Sequence, residues 1–131
     1  MNALKIAALI CRILLGLVFF ASGLFKFFPM NPASIPPGDP GAWSLLMINH
    51  HWMVVVGAFE VVGGLLLLSG RFVPLGLTLL APIAFNVFLF GALFLPKTLG
   101  TAGAVVLLEL FLLYAYRSYF ASLFTAKATV A

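Results

Sequence analysis

Residues Trp52–Ser69 read WMVVVGAFEVVGGLLLLS: eighteen positions with a single charge, Glu60, and no proline. A helix needs about 20 mostly apolar residues to cross the hydrocarbon core of a bilayer. In lipid every backbone N–H and C=O must find an internal partner, so an isolated apolar run of this length has to be helical. The alternating pattern of a barrel strand is absent. This stretch is therefore predicted to be a transmembrane helix.

Three further runs of the same kind flank it. The first spans about 4–28, the third about 73–95 and the fourth about 99–120. Composition agrees with four spans. Of 131 residues, 64% are hydrophobic and 8% charged, against about 25% charged in a soluble domain. The mean hydropathy is +1.22. The expected fold is all-α, an integral membrane four-helix bundle forming one domain over residues 1–131. The net charge of +4 comes from seven Lys and Arg scattered singly, so no nucleic acid is expected as a partner. Cys11 is the lone cysteine and reads as a small apolar residue. The N-terminal run is too long for a signal peptide, contains Arg12 and has no A-x-A site, so it is kept as the first span.

The connections set the topology. Gly70-Arg71-Phe72 and Pro96-Lys97-Thr98 are tight turns, which make successive spans antiparallel neighbours. The segment 29–51 holds Pro29, Pro32, Pro36, Pro37 and Pro40, a density that predicts no regular helix. Lys5, Arg12, Arg71, Arg117 and Lys127 fall on one side; Lys26 and Lys97 fall on the other. The bias places both termini in the cytoplasm and the proline-rich loop outside. Trp43 and Trp52, and Tyr114, Tyr116 and Tyr119, suit the two interfacial belts.

Ionisable groups inside a membrane carry the strongest functional signal, each costing about 2.5–3.5 kcal/mol at a helix centre. Arg12, Glu60 and Glu109 lie within spans, with Asn86 a fourth polar group. Counted from the inner ends of their spans at about 1.5 Å per residue, they lie roughly 12, 14 and 16 Å deep. That pairing of depths predicts an Arg12–Glu60 ion pair, either structural or serving proton movement or ligand recognition. Arg12, Gly16, Phe19, Gly23 and Lys26 share one helical face, and Gly57, Glu60 and Gly64 share another. Small residues beside charges let backbones approach, so these two faces are expected to pack together. Glu109, with Tyr116 seven residues on along the same face, is left as the unbalanced acid, expected to be neutral or to face water. Lys26 reads as an interfacial lysine or a ligand-facing group. Asn86, four residues after Pro82, is expected to bond carbonyls that the proline frees. No metal site is expected; His50 and His51, with Met47 and Met53 nearby, are weak copper candidates.

The pattern Arg12-x3-Gly16…Gly23-x2-Lys26, followed by Glu60-x2-Gly63-Gly64…Gly70-Arg71, resembles the DoxX family of small four-helix membrane proteins. The resemblance implies an inner (plasma) membrane, multi-pass protein associated with quinone-reducing systems. It implies a quinone-interacting or anchoring subunit, with quinone and a redox protein as partners and no cofactor held within the chain. The family brings no agreed catalytic residue. A second copy of the chain is a further candidate partner. Two other readings stay open: a non-enzymatic assembly or lipid-binding factor, and a small proton-coupled transporter.

Overall fold

A computed structural model describes residues 2–131 and contains five α-helices: α1 (Ala3–Phe25), α2 (Asp39–Asn49), α3 (Trp52–Ser69), α4 (Val73–Phe94) and α5 (Leu99–Ala115). No strand occurs among the described residues. Helices α1, α3, α4 and α5, the last with the turn before it, are long and apolar enough to cross a membrane. They close into a four-helix ring in which α1 touches α3 and α5, and α4 touches the same two from the other side. The core inside is small: Leu15, Phe19, Leu67, Leu77, Leu80 and Leu112. Leu17, Val55, Phe59, Leu65, Phe85, Leu107 and Leu110 point outward and are exposed. An outer surface this apolar matches lipid as its surroundings.

Local signals fix the ends. Asn2 caps α1, its Oδ1 accepting from the Lys5 N–H at 2.9 Å. Gly70 ends α3 in the left-handed region at φ 74°, a conformation that glycine adopts without a Cβ penalty. Val73-Pro74 opens α4, where a missing N–H costs nothing. Helix α5 stops at Ala115, short of the predicted boundary, and 3-10 turns follow at Arg117–Tyr119 and Ala121–Phe124.

The proline-rich loop departs from expectation, because its second half is α2. Four of its prolines precede Asp39, and Pro40 falls in the first turn of the helix, the one place where proline favours a helix. From Gly41 to Asn49 no proline remains. Gly41 lies against the Pro36 carbonyl so closely that a Cβ would collide with it. Helix α2 then packs on α3, and Trp43 reaches over to Phe90 of α4 with ring centroids 4.8 Å apart.

The tightest seam joins α1 to α3. A Cβ on Gly23 would lie 2.6 Å from the Gly57 carbonyl oxygen, and one on Gly64 would lie 2.7 Å from the Phe20 nitrogen. Gly16 likewise faces the Gly64 carbonyl at 3.1 Å. Backbone is the nearest obstacle at Gly23 and Gly64, whereas at Gly16 the Leu68 side chain shares the space with the Gly64 carbonyl. Gly23→Ala should therefore destabilise the detergent-solubilised protein by about 1–3 kcal/mol, the usual cost of overpacking. Gly103→Ala, where nothing lies within 4 Å of the added carbon, should be neutral or stabilising by up to about 1 kcal/mol. Thermal unfolding of the two variants checks this, and equal stability would contradict the seam.

Candidate functional site

Helices α1 and α3 run antiparallel, and the glycine pairs Gly16–Gly64 and Gly23–Gly57 set their register. Helical side chains lean toward their own N-terminus. Lys26, at the end of α1, leans back into the bundle, while Glu60 on α3 leans toward the end that Lys26 occupies. They meet: Lys26 Nζ lies 2.7 Å from Glu60 Oε2. The contact is an ion pair by distance but lies outside hydrogen-bond geometry, so Oε2 has no hydrogen-bond partner. Ser22 completes the cluster. Its Oγ donates to Glu60 Oε1 at 3.2 Å and accepts from Lys26 Nζ at 2.9 Å. Glu60 is 1% exposed.

Arg12 takes no part in this cluster, which corrects the expected Arg12–Glu60 pair. It leans the opposite way, toward the N-terminus of α1, and donates from Nη1 to the Leu67 carbonyl at 2.7 Å. It also lies beside Gly70, where a Cβ would sit 2.5 Å from Nη1. Arg12 thus serves the last turn of α3, where free carbonyls and the negative end of the helix dipole favour a cation. The depth estimate failed because it set the ends of the spans level. The glycine register puts Arg12 level with Leu68, so the start of α1 overhangs the end of α3 by about two turns.

The Lys26–Glu60 pair forms the polar end of a cavity of about 610 Å³. Its walls include Trp43 and Met47 from α2, Trp52 and Met53 from α3, and Asn86, Phe90 and Phe94 from α4. Sequence reasoning assigned both tryptophans to interfacial belts rather than to a cavity wall, and it left out Ser22 and Phe90. The Ser22–Lys26 spacing of four residues was a usable signal for the first. Trp43 depended on α2, which was not expected as a helix, and Phe90 is marked as a wall residue only by its contact with Trp43. Asn86 lines the cavity, but its Nδ2 donates to the Pro82 carbonyl at 2.8 Å. The carbonyl that Pro82 leaves free, by lacking an N–H, is that of Thr78, so Asn86 does not perform the expected repair.

The remaining candidates lie elsewhere. Glu109 is 3% exposed, and neither of its carboxyl oxygens has a hydrogen-bond partner. Tyr116 caps α5 and packs on the core at the opposite end of the bundle. His50 and His51 are exposed in the turn between α2 and α3. Among the described residues, no three His, Cys, Asp or Glu gather as a metal-binding group.

A ring of four apolar helices around a short polar cluster defines a small multi-pass membrane protein. The family model DoxX matches residues 7–98. The chain belongs to the DoxX family, as the Arg12-to-Arg71 pattern implied. No curated protein and no solved structure matches it.

Two outcomes follow from this geometry. In a double-mutant cycle, Lys26→Met and Glu60→Gln should show a coupling of about 1 kcal/mol or more, whereas Arg12→Gln and Glu60→Gln should add to within about 0.5 kcal/mol. Chemical unfolding in detergent reads both, and a coupled Arg12–Glu60 pair would overturn the arrangement. Among the described residues Glu109 has no ionic partner, and a buried ionised carboxylate without one is far costlier than a neutral group. Glu109→Gln should therefore fold and insert with the parent's stability; a large loss in thermal unfolding would reveal an ion pair.

Proposed function

We propose that this chain is an inner-membrane subunit that binds a quinone in the cavity above the Lys26–Glu60 pair, serving a membrane redox system. The observation that carries this reading is the cavity itself. Aromatic and thioether walls from Trp43, Met47, Trp52, Met53, Phe90 and Phe94 surround a few polar groups, with Lys26 and Glu60 the charged ones. Small-molecule sites are commonly apolar with a few placed polar groups. A quinone needs the same combination: a flat ring to stack, carbonyl oxygens to receive hydrogen bonds and an apolar tail to bury. The Lys26 ammonium has three donors, and one is committed to Ser22. Another can meet a quinone carbonyl. Glu60 stands beside it to hold the lysine in place and to relay protons to the ring oxygens as the partner's electrons reduce the ring to the quinol. In this reading a partner redox protein supplies the electrons, and the chain anchors that partner at the membrane.

A second reading draws on Glu109. A buried, unpartnered carboxyl in a spanning helix is the kind of group that proton-coupled transporters use. Proton-dependent solute flux in liposomes, lost in Glu109→Gln, would favour it over quinone binding.

The quinone reading has a direct test. The chain has two tryptophans, and both line the cavity. Titrating the detergent-solubilised protein with a short-chain ubiquinone should give saturable quenching of tryptophan fluorescence. Lys26→Met should weaken the midpoint about tenfold, the loss of roughly 1.4 kcal/mol. Phe90→Ala should weaken it as well. Quenching that rises linearly, or that is identical in the variants, would remove the quinone from this cavity.

A further inference from the structure

At the other end of the bundle, the first turns of α1 and the last turn of α5 enclose a second cavity of about 420 Å³. Lys5 and Arg12 line it with Tyr116 and Asn2, and Leu4 and Leu9 supply apolar flanks. Lys5, Ala8 and Arg12 follow helical steps of three and four, so they form one stripe along α1. The small Ala8 between the two cations leaves the hollow.

The charge balance of this end is incomplete. The chain has three acidic residues. Asp39 opens α2 at the far end of the bundle. Glu60 is engaged by Lys26, the only ion pair among the described residues. Glu109, on α5, leans toward the N-terminus of its own helix and so away from Arg12. Neither Lys5 nor Arg12 therefore has an anionic partner. Arg12 is nonetheless held in place by the Leu67 carbonyl. That bond uses one of the five N–H donors of a guanidinium and leaves the rest to recognise an anion.

We propose that this cavity binds the phosphate headgroup of an anionic phospholipid. Arg12 and Lys5 hold the phosphate oxygens, the Tyr116 hydroxyl adds a donor, and an acyl chain runs along Leu4 and Leu9, both exposed to the lipid side. A lipid fits better than a free anion because the polar lining is continuous with an apolar outer surface. The cavity also lies at the end that the positive-residue bias marks as cytoplasmic, where basic pockets between spanning helices meet anionic headgroups. The site is separate from the Lys26–Glu60 cavity and does not depend on the quinone reading.

The test uses the full chain in a neutral detergent, with native mass spectrometry reading the bound lipid. Phosphatidylglycerol should be retained, and phosphatidylcholine held more weakly. Lys5→Ala, at an exposed position, should lower phosphatidylglycerol affinity about fivefold, the effect of one cation at an anionic membrane surface. Arg12→Gln should lower it at least as much. If Arg12→Gln unfolds because it loses the cap of α3, Lys5→Ala decides alone. Equal retention of the two lipids would overturn the proposal, as would unchanged affinity in Lys5→Ala. Displacement of the lipid by millimolar inorganic phosphate would assign the cavity to a soluble anion instead.

Discussion

Gly16 meets Gly64 and Gly23 meets Gly57 at close backbone approach, and those two contacts set the relative heights of Arg12, Lys26 and Glu60. Moving seven residues up α1 matches seven residues down α3. That step keeps the same faces together, so the antiparallel register has no freedom to slip. In a bilayer, lipid tails are as apolar as leucine and helix association has little hydrophobic drive. Close backbone approach supplies van der Waals contact in its place. Continued along the helices, the register sets Glu60 level with Phe20 and Arg12 level with Leu68.

Register alone does not explain why Glu60 pairs with Lys26. Direction completes it. Antiparallel helices send their side chains in opposite senses, so a residue on α1 and one on α3 either converge or diverge. Lys26 and Glu60 converge across several residues of offset, and their flexible stems close the gap to 2.7 Å. Arg12 and Glu60 diverge. The positive group that cannot reach an acid finds the C-terminal carbonyls of α3 instead, which favour cations by their dipole. The same rule leaves Glu109 unpaired, because α5 descends like α3 and aims its acid away from Arg12.

Much of this was legible in the sequence. Span number, the tight turns, the shared faces of Gly16, Gly23, Gly57 and Gly64, and the membrane class all came from hydropathy and helical spacing. The charge pairing was misread because equal depth was taken from span ends, and those ends are not level. Helix α2 was missed because a proline count over 29–51 ignored where the prolines stop. The cavity was missed with it, since Trp43 and Met47 reach the site only through α2. A short helix such as α2, only eleven residues long, carries little periodic signal of its own. Ser22, by contrast, had a signal that went unused, its four-residue step from Lys26.

The extent of the family match divides the polar groups into two sets. The residues that line the cavity beside Lys26 and Glu60 fall between Lys26 and Phe94, inside the matched segment 7–98. Glu109 and Tyr116 fall outside it. A function tied to the DoxX fold as such must therefore be available to α1 through α4, with α2 as part of the wall. Helix α5 contributes to that fold mainly by closing the ring between α4 and α1. Its buried acid sits where closure alone would call for another leucine, like Leu112 three residues on. An apolar residue would complete the core without desolvating a carboxyl. Glu109 is therefore a cost that the architecture does not require.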